Sequence, residues 1–264
     1  VSEPIWATAP PAPDGPAGRY GRAVLWPDTH LGDQDDRAIL LALRVTAAVR
    51  PSLFIQLGDV LDFYGLSRFD NNPDIAIGSV KRELDLQHQL YERLDSVLPR
   101  KTERIQIIGN HEERLVRFIW KNPALVGALD LGGLMDLKRF GFTGGLRPTY
   151  HVNPAFIVTH GSHIRKDAGQ SAKSELMATM VSGASGHTHR LGTFSFTTEG
   201  AELSWTECGH LQNRTPEWLR MRPNWNQGLV ILDYELGGGN AFAVTPVHFR
   251  RSYRCVVNGM EIRA

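Results

Sequence analysis

Short apolar runs along the chain stop repeatedly at clusters of side chains able to bind metal. Ala23-Val24-Leu25-Trp26 ends at Pro27-Asp28-Thr29-His30, and Leu53-Phe54-Ile55-Gln56-Leu57 ends at Gly58-Asp59. Ile105-Gln106-Ile107-Ile108 ends at Gly109-Asn110-His111-Glu112, and Phe156-Ile157-Val158-Thr159 ends at His160-Gly161. A weaker fifth run, Met180-Val181-Ser182, reaches Gly186-His187-Thr188-His189 after a few small residues. Unbroken runs of this length read as buried strands that deliver their last residues to one edge of a sheet.

Between the runs the period changes to that of helices. Asp35 or Asp36 caps a helix to about Val49, carried by Ile39, Leu40, Leu43 and Ala47 and ended by Pro51. A longer helix is predicted over about Ile77 to Leu98, with Val80, Leu84, Leu90, Leu94 and Leu98 on one face and Lys81, Arg82, Glu83 and Asp85 elsewhere. Glu112–Trp120 and Ala172–Met180 are two further helices. From about Leu191 the pattern turns to strands, at Thr193–Phe196, Leu203–Thr206, Leu229–Tyr234, Ala241–Val247 and Tyr253–Val257, which predict a second, largely antiparallel sheet. The expected fold is α/β, a four-layer α-β-β-α sandwich of two facing mixed sheets flanked by helices, formed by residues 19–264 as one domain.

Composition narrows the function more than the fold. With 29 Lys+Arg against 28 Asp+Glu, the 264-residue chain has no global basic field for holding nucleic acid, which leaves room only for a local patch. Cys208 and Cys255 form no C-x-x-C pair, so neither a disulfide framework nor a thiolate zinc cluster is indicated, and a reducing, cytoplasmic location is expected. No apolar stretch reaches the roughly 20 residues of a membrane span. Val1 to Gly18 holds five of the 15 prolines and lacks the basic and apolar regions of a signal peptide, so it reads as a flexible Pro-rich tail.

In order, the polar clusters are Asp28-x-His30, Gly58-Asp59-x-x-Asp62, Gly109-Asn110-His111-Glu112, His160-Gly161 and Gly186-His187-x-His189. They offer oxygen and imidazole ligands suited to divalent first-row metals, with no thiolate among them. This ordered set resembles the signature of the calcineurin-like metallophosphoesterase superfamily, over about residues 23–190. The resemblance implies that Asp28, His30 and His189 bind one metal, that Asn110, His160 and His187 bind the other, and that Asp59 bridges both. It further implies that a metal-bridging hydroxide attacks phosphorus while His111, oriented by Asp62, protonates the leaving group. Mn²⁺ is the foremost of the two-ion cofactors expected, with Fe, Zn²⁺, Ni²⁺ or Co²⁺ also suited to such ligands. Glu112 reads as structural, and Asp33, Asp35 and Asp36 as helix caps.

Departures from the family's branches refine the expectation. Asp62 is followed by Phe63-Tyr64-Gly65 rather than the Arg-Gly of the Ser/Thr protein phosphatases, and His111 stands where the lipid-A pathway pyrophosphatases carry Arg. A compact bacterial- or phage-type phosphodiesterase or phosphatase remains, with Arg68, Arg114 and His163 as candidate substrate contacts. His210 is an open candidate for the same role, while His88, His151 and His248 lack ligand companions and are assigned to structure. The expected partner is a phosphoester, small molecule or nucleic acid, with no membrane and no obligatory protein partner. Two alternatives stand beside this: a DNA nuclease, because Asp28-Thr29-His30-Leu31-Gly32 resembles the opening of the superfamily's repair exonucleases, and a non-catalytic scaffold using Trp205, Trp218 and Trp225 as a contact surface.

Overall fold

The first apolar run becomes a strand whose alternate side chains serve two different cores. In a computed structural model that describes residues 19–68, 72–216 and 223–264, Ala23 and Leu25 of β1 (Tyr20–Trp26) face a second sheet, while Val24 and Trp26 face helices. The Pro-rich segment and Trp218 lie outside the described residues. The chain continues through α1 (Asp36–Val49), β2 (Leu53–Gln56), α2 (Pro73–Ala76), α3 (Ser79–Val97), β3 (Glu103–Ile107), α4 (Glu112–Lys121), α5 (Leu131–Leu134) and β4 (Phe142–Arg147). Then follow β5 (Thr149–Asn153), β6 (Phe156–Thr159), α6 (Gln170–Thr179), β7 (Ser182–Ser185), β8 (Leu191–Thr197) and β9 (Glu202–Cys208). β10 (Gly228–Glu235), β11 (Phe242–His248), β12 (Arg254–Val257) and β13 (Met260–Arg263) complete it.

Two mixed sheets face each other. The first runs β11-β10-β1-β2-β3-β4, parallel from β1 to β4 and antiparallel at β10 and β11. The second runs β5-β6-β7-β9-β8, with a parallel centre and antiparallel edges. Leu25, Ile55 and Ile105 of the first sheet and Phe156, Val158 and Ala184 of the second fill the space between them. On the outer face of the first sheet, Trp26 and Phe54 pack against Ile39 and Leu43 of α1 and Leu90 and Leu94 of α3. Ala172 and Leu176 of α6 cover Ile157 and Trp205 on the outer face of the second. The layer order is therefore α-β-β-α.

The late strands depart from expectation. They do not build one antiparallel sheet: β8 and β9 join the second sheet, β10 and β11 extend the first along β1, and β12 with β13 forms a separate hairpin. Alternation marks a strand but does not name the edge it pairs with. β4, β5 and β13 were not expected; Gly144-Gly145 in β4 and the exposed faces of β5 and β13 blur their periodicity.

The helices form close to their predicted bounds. Asp35 caps α1 by accepting from the Arg37 and Ala38 amides, and Arg50 ends it in the left-handed region just before Pro51. Asp33 is not a cap; it accepts from the Gln212 and Asn213 side chains. α3 is rotated from the expected face, so that Glu83, Gln87 and Tyr91 are buried along with Leu90 and Leu94. Among the described residues no helix is long and apolar enough to cross a membrane, and both cysteines are buried free thiols.

Candidate metal centre

The parallel strands β1, β2 and β3 end at one edge of the first sheet, and β6 and β7 end at one edge of the second. Their following loops meet there, stitched by backbone bonds from Thr29 and His30 to the Asp59 carbonyl, each 2.9 Å. His30, Asp59, His187 and His189 all have positive φ, between 47° and 69°, a region costly for residues other than glycine. Such strain persists only where surrounding bonds fix it, and it is concentrated here on four of the expected ligands. Two glycines are required by proximity: a Cβ on Gly109 would overlap Asp59, and one on Gly186 would overlap the Asp28 carboxylate.

Three overlapping groups of ligand atoms result, Asp28 with His30 and His189, His30 with Asp59 and His111, and Asp59 with His160 and His187, each within 4.8 Å. Asn110 joins the last, its Oδ1 3.0 Å from His160 Nε2. Asp28, His30, Asp59, His160 and His189 are buried, whereas Asn110, His111 and His187 are half-exposed and mark the open side.

The hydrogen bonds behind the ligands leave the right atoms for a cation. His160 Nδ1 donates to the Leu57 carbonyl at 2.8 Å, and His30 Nδ1 lies 3.1 Å from Asp62 Oδ1, so each turns its Nε2 inward as the atom available to a cation once deprotonated. Those atoms face others of the same kind: His30 Nε2 is 3.1 Å from His189 Nε2, and His160 Nε2 is 3.2 Å from His187 Nδ1. Paired imidazole nitrogens at this distance need a shared proton or a cation between them. The donor set of nitrogen and oxygen, two buried carboxylates and no sulfur fits divalent first-row metals.

Metal-free electrostatics express the same demand for positive charge. Burial would raise the Asp59 pKa, yet His160 and His111 hold it well below the usual carboxylate value. Burial would likewise lower His160 and His30, but Asp59 lifts the former to about 10, and the hydrogen bond from His30 to Asp62, together with the charge of Asp59, lifts the latter to about 9. Burial depresses His187 and His189, the former also by repulsion from His160.

Glu112 ties the centre together from beneath. Buried at the start of α4, it accepts from the amides of Asp59, Val60, Leu61 and Gly109 at 2.7 to 3.1 Å, spanning two ligand loops. His111 Nδ1 is 2.9 Å from Asp62 Oδ1, and Arg114 reaches its Nε2 at 3.0 Å while bonding the Asp62 carbonyl.

The remaining sequence candidates fall as follows. Arg68 and Arg114 line one hollow beside Asn110. His163 is turned to Glu175 of α6, at 3.0 Å, and belongs to none of the ligand groups. His210 is fully buried, stacked on His189 with ring centroids 5.1 Å apart, and so is withheld from any substrate. His88 bonds the Leu134 carbonyl, and His151 and His248 lie in strands β5 and β11. Trp205 is buried, and Trp225, half-buried, packs edge-on against His189. The Trp225 contact had no signal in the sequence, being made across loops.

No protein-family model matches the chain, and no curated protein matches it. Among solved structures, it is similar to Vps29 of Chaetomium thermophilum at 13% identity, covering 86% of this chain and 97% of that one, with a TM-score of 0.40. It is also similar to YfcE, a phosphoesterase from E. coli, at 12% identity, covering 85% and 98% respectively, with a TM-score of 0.38.

Proposed function

We propose that the chain is a calcineurin-like metallophosphoesterase, hydrolysing phosphoesters with a pair of divalent cations. Asp28, His30 and His189 would hold one ion, Asn110, His160 and His187 the other, and Asp59 would be shared. The observation that carries this reading is the continuity of the ligand groups: one gathers Asp28, His30 and His189, another Asp59, His160 and His187, and a third joins the two through His30 and Asp59. Bound there, the ions would supply a water of lowered pKa and neutralise the phosphate's charge, as two-metal sites do.

The chain's own residues account for the rest. Asp62 fixes a hydrogen on His111 Nδ1, leaving Nε2 as the nitrogen that exchanges a proton with the departing oxygen. Arg114, already reaching His111 Nε2, would donate to a phosphate oxygen bound beside it, the anion taking over that donor. Glu112 holds the loops that present Asp59 and Asn110, and the buried ligands exclude water from all but the open side.

Hydrolysis of p-nitrophenyl phosphate and bis-p-nitrophenyl phosphate with added Mn²⁺ tests the reading. The wild type is expected to turn over one or both, and Asp59→Asn to lose activity by about 10³-fold or more. A folded, metal-loaded wild type that cleaves no phosphomonoester or diester contradicts it.

A further inference from the structure

We propose that a cationic groove along α4 binds single-stranded nucleic acid, taking the strand that runs on from the scissile phosphate. The inference rests on the phosphoesterase reading for the position of that phosphate, and names the substrate class.

The groove has a volume of about 450 Å³ and begins at Asn110, at the half-exposed edge of the centre. Arg114, Arg117 and Lys121 line it at helical spacings of three and four, one face of α4, and Arg68 lines the same hollow. The seven helical steps from Arg114 to Lys121 rise about 10 Å, about three steps of a stacked strand. Because Arg114 contacts His111, the row of cations starts on the side where the leaving group departs. A net charge of only +1 means that this concentration is local rather than a sample of a basic protein.

Charge alone would suit any polyanion, but the walls are not only charged. Phe118, 41% exposed, stands among the cations, and Leu66 lies on the same hollow. An exposed ring set in a row of phosphate-binding cations is the composition of a base-stacking platform. A single strand leaves its base faces free to stack on such a ring, whereas a duplex buries them, so the groove should prefer one strand. Glu113 pairs with Arg117 at the surface, an i, i+4 pair that a phosphate can displace.

The test measures binding of fluorescein-labelled oligothymidylates by anisotropy in EDTA, so that cleavage plays no part, across a salt series. Affinity is expected to rise with length to about four nucleotides, with a log–log salt slope of about −2 to −3. Arg117→Glu and Lys121→Glu should each weaken binding about tenfold or more and make the slope shallower by about 0.7. Phe118→Ala should weaken binding without changing the slope. All three sites are exposed, so melting temperatures should match the wild type, and Mn²⁺-dependent hydrolysis of bis-p-nitrophenyl phosphate should be unchanged. Unaltered affinity in the Arg117→Glu/Lys121→Glu double variant overturns the proposal. So does a duplex bound as tightly as the single strand, or tripolyphosphate displacing the oligonucleotide as well as unlabelled strand does. Binding that behaves as expected in a protein that hydrolyses no phosphoester would sink the phosphoesterase reading and leave the groove standing.

Discussion

Asp62 lies 3.1 Å from Nδ1 of His30, so the carboxylate expected to orient His111 also holds a candidate metal ligand. The same oxygen is 2.9 Å from His111 Nδ1, which couples the candidate ligand to the proposed proton donor through a single acceptor. Asp62→Asn is therefore expected to weaken metal affinity about 10–100-fold as well as lower kcat, since residues behind a ligand tune its basicity. A Mn²⁺ titration of the apoprotein beside saturating-metal kinetics separates the two effects; an unchanged affinity would confine Asp62 to His111.

Glu112 accepts four backbone amides from the two ligand loops, and burial together with Asp59 raises its pKa above the usual value. Glu112→Gln would set amide hydrogens against some of those donors. The expected cost is at least about 2 kcal/mol, or a fall in melting temperature of about 2–4 °C per kcal/mol. Metal affinity should fall with it, because Asp59 and Asn110 lose their common anchor.

The first three strands were legible because β1, β2 and β3 are buried on both faces, so their runs are uninterrupted. The order of the candidate ligands was legible for the same reason: most of the clusters directly follow such a run. The partnering of β10 with β1 was not, because the register Ala23 to Leu232 is set by packing between strands 209 positions apart in the chain. Glu83 was read as surface because its charge suggested water, yet it caps the Phe63 amide in the interior. The positive φ of His30 and Asp59, unlike that of a glycine, has no compositional signal. A balanced total charge concealed the row of Arg114, Arg117 and Lys121, which appears only when α4 is placed beside Asn110.

Glu83 makes stability pH-dependent. Burial raises its pKa from 4.5 to about 8, with Asp62 adding to the rise and the Phe63 amide opposing it. A carboxyl with a raised folded-state pKa stabilises the fold below the unfolded value, and that contribution is lost as pH rises from 4.5 to about 8. Glu83→Gln should flatten the melting-temperature profile over this window and make the variant more stable than wild type at pH 9. A parallel profile would show Glu83 ionised throughout.

Metal loading should release protons. In the metal-free protein His30 and His160 titrate near 9 and 10, so at pH 7 both are protonated and each must lose its proton to ligate. Calorimetric titration with Mn²⁺ in buffers of different ionisation enthalpy should give about two protons released per fully loaded chain, with affinity rising with pH. No dependence on buffer would place the ion away from these histidines.

Anomalous diffraction at the manganese edge, from crystals grown with Mn²⁺, tests the central claim most directly. The account expects two peaks about 3.5–4 Å apart on either side of the Asp59 carboxylate, one against Asp28, His30 and His189 and the other against Asn110, His160 and His187. An absence of peaks at Asp59 in crystals soaked to saturation, or ions bound only elsewhere on the surface, would contradict it.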